Sequence, residues 1–123
     1  MLHNMDATSA GFTGTKFAQH GAEIQNEATA GAAMALWLRG DEAFRTAAAR
    51  YLDSLVKQMA EAKNGDGYGL VATPVPEAKT GDGLGWSYFN FLHVASSAWT
   101  GLALLAKDDP GANPYAPLSK VKR

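Results

Sequence analysis

Two glutamates four residues apart, Glu23 and Glu27, stand beside Gln25 and Asn26 at the start of a run that reads as a helix. On a helix that spacing sets both carboxylates on one face. Paired carboxylates are what glycoside hydrolysis needs, one to protonate the leaving group and one to act as base or nucleophile. Glu27 is the better candidate of the two, because an apolar run follows it directly and draws it toward the interior. The competing reading is structural, since acidic residues favour helix N-termini for the dipole alone. Two more carboxylates, Asp66 and Asp82, each lie between glycines. Glycine lets backbone approach a ligand closely, and an aspartate there can bind a sugar hydroxyl or act as a base. Gly-Asp-Gly is equally an ordinary turn.

Aromatic residues accompany these acids. Tyr68, Trp86, Tyr88 and Phe89 fall in or beside the same glycine-rich stretch. A flat apolar face with a polar edge suits a sugar ring, and it suits a protein interface or a core equally well. Trp37 and Trp99 sit inside apolar runs and read as core. His93 begins another apolar run, where it can hold a carboxylate or cap a helix.

No metal or cofactor is expected. His3, His20 and His93 are too scattered for a metal site, and the absence of cysteine excludes disulfides and thiolate zinc. Asn64-Gly65-Asp66-Gly67 opens like a calcium loop but lacks the later ligands and terminal glutamate. The glycines from Gly81 to Gly85 are followed by no Gly-Lys-Ser/Thr, so they form no phosphate loop.

The elements that must position these groups follow from periodicity. Residues 1–21 are polar and rich in Gly, Ser and Thr, with Phe12 and Phe17 as apolar anchors, and predict an irregular arm. A first helix is predicted from Ala22 or Glu23 to Gly40. A second is capped by Asp41, with Phe44, Ala48, Tyr51, Leu52, Leu55, Met59 and Ala62 on one side. Asn64 and Gly65 end it. The connection then stays irregular to about Ser87, with glycines at 65, 67, 69, 81, 83 and 85 and room for a short extended pair near Tyr68 to Thr73. A third helix is predicted to start between Phe89 and His93 and to end near Lys107. A helical-hairpin domain at 22–115 and a tail at 116–123 complete the division.

Ala28 to Leu38 and Val94 to Ala106 are apolar or small on every side, whereas the helix between them is amphipathic. A helix without a polar face must be enclosed by protein. The order therefore reads inner, outer, inner. One such outer helix cannot cover two inner ones, and apolar area left in water forfeits roughly 25 cal/mol per Å². A homo-oligomer, most simply a symmetric dimer, is expected to complete the cover.

At 123 residues, 46% hydrophobic and 19% charged, the chain has the composition of one globular domain. Its net charge is −1 and its one basic cluster is Lys120, Lys122 and Arg123, so nucleic acid is not an expected partner. No apolar run approaches the roughly 18 residues that span a membrane, and the opening Met-Leu-His-Asn lacks a signal-peptide pattern. A soluble chain is expected, its compartment left open.

Several segments together resemble the C-terminal portion of the six-hairpin glycosidase superfamily. They are Glu27-Ala28-Thr29-Ala30-Gly31-Ala32-Ala33-Met34-Ala35-Leu36, Thr80-Gly81-Asp82-Gly83-Leu84-Gly85-Trp86-Ser87-Tyr88, Leu92-His93-Val94-Ala95-Ser96-Ser97-Ala98-Trp99 and Asn113-Pro114-Tyr115. The resemblance implies an all-α fold of helical hairpins, an (α/α)6 toroid whose central funnel holds a carbohydrate. The chain is too short for more than a partial toroid, with a long glycine-rich loop between helices two and three. On this reading the protein hydrolyses glycosidic bonds, with Glu27 and Asp82 as acid and base. Glu23, Asp66, Tyr68, Trp86, Tyr88 and His93 bind the sugar. The alternatives are a carbohydrate-binding or self-assembling module without catalysis, and a subunit whose loop recognises another protein.

Overall fold

The computed structural model describes residues 4–117. His3 and the basic cluster Lys120, Lys122 and Arg123 lie outside them. In chain order the elements are β1 (Asp6–Ser9), β2 (Phe12–Thr15), α1 (Asn26–Arg39), α2 (Glu42–Glu61), β3 (Glu77–Lys79), β4 (Ser87–Phe89), α3 (Val94–Asp108) and a 3-10 turn at Pro110–Ala112.

The architecture is mixed α and β, which overturns the expectation of an all-α partial toroid. Among the described residues, three α-helices are joined by two antiparallel hairpins. The first hairpin lies inside the stretch expected to be an irregular arm, pairing Asp6 with Thr15 through Ser9 with Phe12. Its turn is Ala10-Gly11, both residues left-handed at φ 51° and 81°. Two-residue hairpins need that geometry and usually announce it with Asn-Gly or Asp-Gly. Alanine in the first position hides the signal. The second hairpin lies inside the expected glycine-rich loop and pairs Glu77 with Phe89, Ala78 with Tyr88 and Lys79 with Ser87. The extended pair expected near Tyr68 to Thr73 is a single bridge between Val71 and Leu92.

The helices form close to where periodicity puts them. α1 begins later than expected, with Gln25 as its cap, its side chain accepting from the Ala28 N–H. Gly40 closes it in the left-handed region. α2 buries Ala48, Tyr51, Leu52 and Leu55, and its polar side carries the Lys57–Glu61 pair at 3.7 Å. That pair is exposed on both sides and contributes little. α1 packs against both other helices, and Ala30, Ala33, Met34 and Leu36 meet Ala48, Tyr51, Leu52, Leu55, Leu70, Ala103 and Ala106 in the main core. Full burial of a leucine such as Leu55 contributes roughly 2 kcal/mol.

Enclosure of α1 and α3 on all sides is not observed. Ala35 and Leu38 of α1 are exposed, and α3 leaves Val94 86% and Leu105 53% exposed along one flank. The apolar segments are longer than the surface available to cover them. Among the described residues no helix is long and apolar enough to cross a membrane.

Polar side chains tie the first hairpin to the helices. The Thr15 N–H donates to Thr29 Oγ1 at 2.9 Å and the Thr13 N–H to Ser54 Oγ at 3.1 Å. Gly14 makes this approach feasible, because a Cβ there would lie 2.7 Å from Thr29 Oγ1 and 2.9 Å from Ile24 Cγ2. Two inter-element bonds set the starts of α1 and α3. The Asn26 N–H donates to Ala72 O and the His93 N–H to Leu70 O, each at 2.9 Å. Both helices thus set out from the 70–72 segment, which brings their N-terminal ends to one side of the molecule.

Candidate functional site

Tyr88 is the centre of the groups that converge at that end. It stands on β4 opposite the buried Ala78, with its ring 5.8 Å from Phe17 and 5.9 Å, edge-on, from His93. Burial raises the pKa of its phenol, and the nearby carboxylates of Glu27 and then Asp82 raise it further. Glu27 occupies the first turn of α1 and is half-buried. Asp82 arrives from the loop between β3 and β4, so two acids far apart in the chain act on one hydroxyl.

Asp82 is held by its own turn. Its Oδ1 accepts the Leu84 N–H at 3.0 Å and the Thr80 hydroxyl at 2.8 Å, and these bonds hold its pKa below the usual value. The Thr80 N–H closes the loop on Trp86 O at 3.0 Å. Gly81 is the pivot. At φ +72° its missing Cβ would fall 2.1 Å from Gly21 N, so the loop crosses the 20–21 backbone at a distance only glycine allows. The same loop presents Leu84 and Trp86 to solvent, each 70% exposed.

His93 caps α3. Its Nδ1 accepts the Ser96 N–H at 3.2 Å and lies 2.8 Å from Ser96 Oγ. With Nδ1 accepting, the ring proton sits on Nε2, a donor on the ring that meets Tyr88 edge-on. The capping role and the ligand role are therefore compatible.

The remaining residues named from the sequence are engaged in bonds of their own or project to solvent. Glu23 precedes α1, so it does not share a helix face with Glu27; its carboxylate accepts the Ser9 hydroxyl at 2.5 Å and secures the first hairpin. Asp66 closes a turn by accepting the N–H groups of Tyr68 at 2.9 Å and Gly69 at 2.7 Å, bonds that lower its pKa. Tyr68, 90% exposed, projects from that turn. Phe17 is the member of the cluster that the sequence did not single out for function. Its signal was an isolated aromatic in a polar stretch, which reads as an anchor until its partner is known.

Among the described residues no three acidic or histidine side chains gather closely enough to hold a metal ion. The group at Tyr88 offers two carboxylates, a phenol, an imidazole N–H and exposed aromatic surface. That set can exchange several hydrogen bonds with a polyhydroxyl ligand. Neither family models, curated proteins nor solved structures match this chain.

Proposed function

We propose that this protein binds carbohydrate on the surface formed by Glu27, Asp82, Trp86, Tyr88 and His93. The observation that carries the reading is the setting of Tyr88, its ring 5.8 Å from Phe17 and 5.9 Å from His93 and its phenol within reach of the charges of Glu27 and Asp82, beside a loop that exposes Trp86. Sugars present hydroxyls around an apolar ring face. Carboxylates accept from the hydroxyls, Tyr88 and His93 Nε2 donate, and Trp86 supplies the flat apolar surface.

The state of Asp82 suits it to accept from sugar hydroxyls and, in any hydrolysis, to act as the base and not as the acid. A carboxylate held ionised by two donors accepts hydrogen bonds well and cannot serve as an acid. Hydrolysis needs one carboxyl protonated at the glycosidic oxygen. Hydrolysis with Glu27 as acid and Asp82 as base is the second reading, favoured by the charges of both acids bearing on the Tyr88 phenol.

Affinity electrophoresis against a panel of neutral and acidic polysaccharides tests both. Retardation is expected on at least one of them, with loss in Trp86→Ala while the circular dichroism spectrum is unchanged. Reducing-sugar release that disappears in Glu27→Gln would establish the second reading. Migration unaltered by every polysaccharide would refute the first.

A further inference from the structure

Two apolar surfaces on different sides of the helices are left uncovered. On α3, Val94, Ala98, Leu102 and Leu105 recur at helical spacing, opposite the core-facing Ser96, Thr100 and Ala103, and the stripe ends on Asp108. With the exposed Phe91 and Leu92 ahead of it, this surface amounts to on the order of 500 Å², the size at which an apolar patch marks a contact. On α1, Ala28, Ala32, Ala35 and Arg39 form a stripe that floors a groove of about 570 Å³, walled by Met5, Phe17 and Phe44. The opposite side of α1 faces α3, where Asn113 from the segment after α3 donates to Met34 O at 3.1 Å.

We propose that copies of this chain associate head to tail, the α3 stripe of one seating in the α1 groove of the next. The two surfaces complement each other in shape, a ridge of branched side chains facing a channel floored by alanines. They also complement each other in charge. α1 and α3 start from the same 70–72 segment, and in the head-to-tail contact proposed the neighbour's α3 runs parallel to α1. Asp108 at the C-terminal end of α3 then meets Arg39 at the C-terminal end of α1. The Arg39 guanidinium lies 5.0 Å over the Phe44 ring and has no carboxylate partner among the described residues. A net charge of −1 sets little repulsion against association. A contact between unlike faces does not end at two copies but closes a ring or extends as a filament. The contact needs no carbohydrate, although Phe17 belongs both to the groove wall and to the Tyr88 cluster.

Sedimentation velocity on the full chain tests this. The wild type is expected to form species larger than a dimer as concentration rises. Val94→Lys/Leu105→Lys spoils the ridge and Ala35→Glu spoils the groove, both at exposed positions, so each variant keeps the wild-type circular dichroism spectrum and sediments as a monomer. Mixed together, they are expected to form a one-to-one dimer and nothing larger, through the intact ridge of one and the intact groove of the other. Asp108→Arg is expected to weaken the wild-type assembly at least tenfold, and Arg39→Asp added to it restores association. A wild type that stays monomeric at every concentration overturns the proposal. So does a mixture of the two variants that stays monomeric.

Discussion

Tyr51 links the first hairpin to the helical core, and removing its hydroxyl should be legible in the pH dependence of stability. The side chain is fully buried on α2, and its hydroxyl donates to Asp6 of β1, which also pairs with Arg50 at 3.3 Å. Burial first, and the Asp6 hydrogen bond and charge after it, push the phenol from 10.0 up to about 12. A raised acid keeps its proton in the folded state after the unfolded chain has lost it. The stabilisation is therefore complete below about pH 10 and is lost as pH climbs toward 12. The full interval corresponds to about 2.7 kcal/mol, and about 1.4 kcal/mol of it is gone near pH 11. Tyr51→Phe removes this dependence. It should also lower stability near neutral pH by about 1–2 kcal/mol, at the low end for a bond to a charged group because Asp6 keeps Arg50 and some solvent. Urea unfolding of both proteins, followed by far-ultraviolet circular dichroism at a series of pH values, measures the gap between them. The gap is expected to narrow by more than half between pH 9 and pH 11. If it stays constant over that range, burial and Asp6 do not hold the phenolic proton, and the proposed coupling of hairpin to helix is wrong.

Two further outcomes concern the site. Glu27→Gln removes the larger of the two carboxylate influences on Tyr88, so the phenol should titrate at lower pH than in the wild type, with burial still holding it above the ordinary value; ultraviolet difference titration reads this, and an unmoved titration would separate Glu27 from Tyr88. Gly81→Ala forces a Cβ against the Gly21 backbone at a left-handed φ, so it should cost about 3 kcal/mol or more and abolish sugar retention together with the Thr80–Trp86 loop closure. A wild-type melting temperature in that variant would show that the loop does not cross residues 20–21 as described.

The helices were readable because their causes are local, although the Gln25 cap of α1 was not foreseen and Asp41 takes the N-cap position of α2 without a side-chain cap bond. Apolar residues at spacings of three and four placed α2, Gly40 placed the end of α1, and His93 was recognisable as a residue that could cap α3. The hairpins were not readable. Their strands are only three or four residues long, and one turn uses Ala10 where Asn or Asp would have signalled it. Glu23 illustrates a smaller failure of the same kind. It satisfied the helical spacing with Glu27, but Gln25 caps the helix after it, and Ser9, distant in sequence, takes its carboxylate.

From its amino-acid order alone, this protein could be assigned its three helices, its surplus of apolar helical surface and the residue types able to meet a sugar. Each of those follows from interactions within a few residues along the chain. Tertiary structure decided that Glu27, Asp82, Tyr88 and His93 share one end of the molecule, that Glu23 is taken up by Ser9 and that Asp66 is taken up by its own turn. It also decided which flanks of α1 and α3 stay bare. Such outcomes depend on strand pairing and on two backbone bonds to the 70–72 segment, contacts between distant residues whose free energy no local pattern records.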